Sequence, residues 1–226
     1  VNVLSRRAVG FVGTRKVTPY GQRMCNMLVD ELAEIVPDAL IVSGLAFGVD
    51  GACHRAAIAC EATTIAVLAN PLPEIAPSAH ERMAAEFISR GGAIVSELNS
   101  QTKQNGRYFI PRNRIIAGMS AGTVVVESPE SGGSLSTAAF ADGYNRTVMA
   151  VPGRVTDGNS RGCNLLIRNR KAQIVLSGRD IANELMWDLE LDTIEESPRE
   201  PLPLTDGESR LLAYFDSEPV SIDALQ

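Results

Sequence analysis

The sequence predicts an α/β fold built on a doubly wound, mostly parallel sheet. Three observations carry that reading. Six short apolar, β-branched runs recur through the first 153 residues, and they are apolar throughout rather than alternating, as in strands covered on both faces. Helix-spaced stretches separate them, and strand–helix alternation builds parallel crossovers. Hydrophobic residues make up 45% of the 226-residue chain, enough to core one large domain, or one domain plus a fragment.

The first strand is "AVGFVG", residues 8–13. Thr18 then reads as an N-cap and Pro19 as the first helical residue. Met24, Leu28, Leu32 and Ile35 follow at helical spacing, and Pro37 stops the run. "ALIVS" at 39–43 and "TTIAVLA" at 63–69 are the next strands, with a helix over 50–60 between them. A helix over 79–90 leads to "AIVSE" at 93–97. "TVVVE" at 123–127 and "TVMAVPG" at 147–153 complete the six, with a helix over 134–144 between them.

Past the sheet the composition changes. Residues 188–204 are acidic and contain Pro198, Pro201 and Pro203, the mark of a linker. Residues 205–226 start with an N-cap-like Thr205 and read as the beginning of a second unit, too short to fold alone. Domain one therefore spans 1–187. From Glu184 onward there are 12 acidic and 2 basic residues, a net −10, while residues 1–183 hold 15 acidic and 19 basic, a net +4. Of the 21 basic residues 18 are Arg, whose planar fork grips phosphate and stacks on rings.

Several classes fall away. No run has the length of a membrane span. The start lacks Met and does not read as a signal peptide, so the sequence is expected to begin inside a longer protein. Cys25, Cys53, Cys60 and Cys163 lack metal-ligand spacing and read as free thiols of a reducing cytoplasm. No cofactor or metal is expected. G-x-G-x-x-G, the nucleoside-triphosphatase P-loop and the G-x-S-x-G elbow are all missing. Of the two histidines, His54 lies four residues after Asp50; Asp50 is expected to cap the helix and His54 to pack within it. No catalytic constellation of His, Cys or paired carboxylates stands out.

Ligands of open parallel sheets bind at the carboxyl ends of the strands. The loops there are rich in small residues: Gly13, Thr14 and Arg15 in the first, Ser43, Gly44 and Gly48 in the second, Gly133 and Ser134 after the fifth strand. Arg154 and Arg161 follow the sixth. Such loops offer backbone N–H groups to anions, and the arginines add charge.

"GRYFIPRNRIIAGMSAG", residues 106–122, places Phe109 beside Arg112 and Arg114. If residues 109–114 are extended, both arginines point the same way. If a helix starts at Asn113, they straddle its N-terminus. Either arrangement suits unstacked bases on a charged backbone. A core Phe with two surface arginines is the other reading.

"VGTRKVTPYG", "IVSGLAFGVDGACHRAAI", "RNRIIAGMS", "VVVESPESGGSLSTAAFA", "VPGRV" and "RGCNLLIRNRKAQIV" together resemble, in order, the core of the DNA-processing protein A family (DprA or Smf) from residue 9 to 185. The resemblance implies a Rossmann-like domain that binds single-stranded DNA, without enzymatic activity. It also implies a homodimer that protects incoming DNA in natural transformation and helps load the RecA recombinase in homologous recombination. The tail resembles the winged-helix-like domain that follows in many members. By position, Arg15 matches the family's G-[ST]-R arginine; Ser43, Gly44 and Gly48 match S-G-L-A-x-G-[IV]-D; Phe109, Arg112, Asn113 and Arg114 match F-P-x-R-N-R. Lys171 stands where a basic residue tends to lie near the last strand. Here Ile110 separates Phe109 from Pro111, shifting the rigid point by one residue. A weaker likeness of "ESGGSLST" to the loop of lysine-decarboxylase-like phosphoribohydrolases defines the enzymatic alternative, release of a base from a nucleoside monophosphate; Ser131 and the lack of a following Glu depart from it.

Overall fold

The computed structural model describes residues 7–187. The chain divides into units 1–188 and 189–226, and every described residue belongs to the first. The expected linker and second unit lie outside the described residues.

Seven parallel strands form one sheet in the order β4-β3-β2-β1-β5-β6-β7. They are β1 (Arg7–Val12), β2 (Ala39–Ser43), β3 (Thr63–Val67), β4 (Ala93–Val95), β5 (Gly122–Val125), β6 (Thr147–Ala150) and β7 (Gln173–Ile174). Seven helices connect and cover them: α1 (Pro19–Ile35), α2 (Val49–Ala59), α3 (Glu81–Ser89), α4 (Phe109–Met119), α5 (Ser134–Gly143), α6 (Arg161–Arg168) and α7 (Gly178–Glu184). This is the doubly wound architecture expected, with β7 as an addition. Only Gln173 and Ile174 pair in β7, and both are exposed; its apolar run, residues 174–176, is shorter than those of the six expected strands.

Alternation along each strand feeds two cores. In β1, Val9 and Phe11 face α1, α2 and α7, where they meet Leu28, Leu32, Cys53 and Ile181. Ala8 and Val12 face α4, α5 and α6, where Ile116, Ala138 and Cys163 pack. Cys25, Cys53, Cys60 and Cys163 are all free thiols.

Helix α1 begins as its sequence dictates. Thr18 Oγ1 accepts the Gly21 N–H at 3.2 Å, and Pro19 occupies the first position, where its missing N–H costs nothing. Glu127, just past the end of the neighbouring strand β5, bonds Thr18: its Oε1 accepts the hydroxyl at 2.6 Å and its Oε2 the backbone N–H at 2.9 Å. That pair fixes α1 against the β5 rim.

Both expectations for residues 109–114 are overturned. Helix α4 starts at Phe109 itself, after a 3₁₀ turn over Gly106–Tyr108. Pro111 is its third residue, within the first turn where helical N–H groups lack intrahelical partners, so the displaced proline begins the helix rather than breaking it. Arg112 and Arg114 therefore diverge around a helical surface.

Candidate nucleic-acid interface

The order of the strands reverses between β1 and β5, and a crevice opens there at the carboxyl rim, as the geometry of doubly wound sheets requires. Its volume is about 410 Å³, and its walls come from four segments: the β1–α1 loop, the β2–α2 loop, the start of α4 and the β5–α5 loop. Gly13, Thr14, Arg15, Phe109, Arg112, Asn113, Gly133 and Ser134 all line it, as does Lys16.

Close loop packing shapes this crevice. Gly48 has φ +80°, and a Cβ there would lie 2.2 Å from the Thr14 carbonyl oxygen. A side chain at 48 would thus separate the first two loops. The Thr14 carbonyl accepts the Val49 N–H at 3.1 Å, and its N–H donates to the Glu127 carbonyl at 2.7 Å. Three rim loops are tied through Thr14.

Arg15 is exposed. Its guanidinium lies over the Phe109 ring, 4.4 Å from the centroid, an attractive stacked arrangement. The two side chains form a wall shared with a second cavity of about 210 Å³, lined also by Phe47, Asn70, Gln104 and Pro77. Phe47 is 52% exposed and meets the His80 ring edge-on at 5.1 Å. Phe47 stands outside the expected site residues; an aromatic inside a Gly-rich rim loop, "GLAFG", is the signal that marks it. Thr137 was missed too. Its hydroxyl is buried in the crevice wall and has no hydrogen-bond partner among the described residues.

Arg112 is not the surface cation expected. It is 5% exposed. Its Nη1 donates to the Gly44 carbonyl at 2.8 Å and also to the Val67 carbonyl, clamping the β2–α2 loop to the end of β3. Asp50 packs with it: a Cβ on Gly44 would lie 2.6 Å from both the Asp50 carboxylate and an Arg112 nitrogen. Gly44 is the gap these charges fill. Burial raises the Asp50 pKa, and the Arg112 charge opposes that rise. Burial likewise lowers the Arg112 pKa, against the pull of Asp50. Asp50 does not cap α2; its carboxylate accepts the Ala46 N–H at 3.2 Å and holds the loop ahead of the helix.

Other expected residues are differently employed. Ser43 is buried, and its hydroxyl donates to the Phe11 carbonyl at 2.6 Å. Ser134 is buried and donates to Ser128 Oγ at 2.9 Å. Asn113 accepts from Arg112 Nε at 3.2 Å and donates to Ser136 Oγ at 3.0 Å, joining α4 to α5. Arg114 pairs with Glu97. Lys171 precedes β7, at the amino end of the strands, and its ammonium is 3.7 Å from Asp142. Neither Ser43, Arg114 nor Lys171 lines the crevice.

His54 is packed, as expected. The Thr64 hydroxyl donates its one proton to the Ile41 carbonyl at 2.8 Å, so His54 Nδ1–H donates to Thr64 Oγ1, also at 2.8 Å. Nε2 is buried without a partner, and the ring stacks on Phe87 at 5.3 Å. Burial first, then the neighbouring His80, hold its pKa down at about 3. His80 donates from Nδ1 to the Leu45 carbonyl at 2.8 Å, the partner its sequence context did not reveal. No group of three His, Cys, Asp or Glu among the described residues is placed to hold a metal.

Comparison with known proteins shows the family and the fold. The family model for DNA recombination-mediator protein A matches residues 1–186. A putative DNA processing protein DprA of Mycobacterium tuberculosis is 39% identical over 175 residues, which are 77% of this chain and 44% of that protein. The chain thus spans about half the length of such curated relatives. The crystal structure of DNA processing protein A from Streptococcus pneumoniae superposes with a TM-score of 0.74 at 34% identity, covering 81% of this chain and 63% of that one. A structure of DNA processing protein A from Helicobacter pylori, concerned with that protein's single-stranded DNA binding mode, gives 0.73 at 28% identity, covering 83% and 84%.

Proposed function

The chain belongs to the DNA recombination-mediator protein A family, and from that premise we propose that it binds single-stranded DNA in the crevice between β1 and β5. The observation that carries the reading is the Arg15–Phe109 stack, set between a cationic, glycine-lined crevice and a smaller aromatic cavity. Phosphates lie against Arg15, Lys16 and the backbone N–H groups of Gly13 and Gly133. A base enters the smaller cavity against Phe47 and Phe109. Base edges meet few fixed donors, so sequence preference is weak. Arg112 and Asn113 support the site from behind rather than holding phosphate.

In this reading the protein is a non-enzymatic mediator acting in the cytoplasm as a homodimer. It protects incoming single strands in natural transformation and helps load the RecA recombinase. Among the described residues no helix is long and apolar enough to cross a membrane. Fluorescence titration with single-stranded and duplex oligonucleotides over a salt series tests the reading. Single strands bind more tightly, and affinity falls with salt as counterions are released. Equal affinity for duplex, or release of free base from a nucleoside monophosphate, would overturn it.

A further inference from the structure

A third opening lies on the same rim, separated from the crevice by the start of α1. It is a groove of about 740 Å³ between the first turns of α1 and the β6–α6 loop. Residues 14–16 line the first crevice and residues 18–20 line this groove. The two are therefore no more than about four residues of chain apart, roughly 14 Å. Asn159, in the β6–α6 loop, donates to the Lys16 carbonyl at 3.2 Å, so the loop is tied to the segment between the openings. Tyr20 donates its hydroxyl to the Pro152 carbonyl at 2.6 Å and joins the groove's two walls.

Arg23 stands on the helical wall and Arg154 on the loop wall. Both are exposed, and neither is in an ion pair among the described residues, unlike Arg114, Arg161 and Lys171. Asp157 is the one acidic residue of the lining; nearby Glu127 is already committed to Thr18. Val155, next to Arg154, is 87% exposed.

We propose that this groove is a second backbone subsite, which takes the stretch of single-stranded nucleic acid leaving the first crevice. The proposal rests on the single-strand reading above. Two arginines on opposite walls of an open groove suit a chain of phosphodiesters running between them, and a strand leaving the crevice has only the start of α1 to cross before it reaches them.

The test compares oligothymidylates of about 4 and about 16 nucleotides, the span of site sizes in single-strand-binding folds. The full chain and its Arg23→Ala/Arg154→Ala variant are titrated across a salt series. Both side chains are exposed, so the variant is expected to fold normally, with an unchanged melting temperature as the control. Losing two phosphate contacts lowers the salt slope for the longer strand by about 1.4, equivalent to about 25-fold weaker binding at 0.1 M salt. The 4-mer affinity stays within about twofold, roughly the error of such a comparison. An equal loss for both lengths would put the arginines in the first site, and no loss for the longer strand would leave the groove without a role; either result overturns the subsite alone. A wild-type chain that binds neither oligonucleotide would instead remove the single-strand reading and the subsite with it.

Discussion

Replacing Arg112 by Ala separates a strut from a ligand. The substitution removes the charged hydrogen bonds to the Gly44 and Val67 carbonyls, each worth about 1.5–3 kcal/mol. It also strips the compensating charge from Asp50, which is 7% exposed. Removing one side of a buried charge pair costs about 3–5 kcal/mol, a figure that already includes much of the hydrogen-bond loss. Protonation of Asp50, whose pKa burial already raises, trims the cost. We therefore expect about 3–5 kcal/mol of destabilisation, a large part of the ~5–15 kcal/mol that holds such a domain folded. For a domain of this size it is a fall of roughly 6–20 °C in Tm. Thermal unfolding and single-strand titration are run on the same preparation, below the melting range. Stability falls while the salt slope holds. The double substitution Arg112→Ala/Asp50→Ala recovers part of the loss, about 0.5–3 kcal/mol of coupling. A variant with wild-type Tm and a salt slope reduced by about 0.7 would refute the argument and make Arg112 a phosphate ligand.

Arg15→Ala lowers the salt slope by about 0.7, whereas Phe109→Ala costs about 1–3 kcal/mol of binding with little change in slope; loss of folding in Phe109→Ala, read by circular dichroism, would make that ring structural. His54 gives the protein an acid-sensitive side. Its folded pKa, about 3, lies below the ordinary value, so below pH ~6.5 the unfolded chain binds the extra proton and stability declines as pH falls towards 3. From pH 6.5 to 5 the loss is about 1.6 kcal/mol, and His54→Gln flattens that part of a urea-denaturation profile. Ending the chain after residue 188 removes most of the acidic tail yet keeps Trp187, which packs against the core. Such a chain binds single strands at least as tightly, with the gain shrinking as salt rises; much weaker binding would assign part of the site to the tail.

The sheet was legible because its signal is local. Parallel strands buried on both faces read as continuous apolar runs, and six of the seven announce themselves so. β7, with two paired residues and an apolar run of only three, 174–176, was passed over. Thr18 and Pro19 started α1 where capping chemistry puts them, and glycine- and arginine-bearing loops identified the rim.

Which charges face the ligand was decided by tertiary structure alone. Arg112 and Arg114 are two residues apart in sequence, but the helix beginning at Phe109 turns one inward to Asp50 and the other outward to Glu97. Lys171 is drawn to the opposite end of the sheet by the direction of β7. Phe47 and Phe109, 62 positions apart, meet at one cavity only because β2 and the start of α4 share a rim. Residue type and spacing name the chemistry available to a chain. Burial and strand direction, which depend on contacts between distant segments, decide which of those groups solvent and ligand can reach.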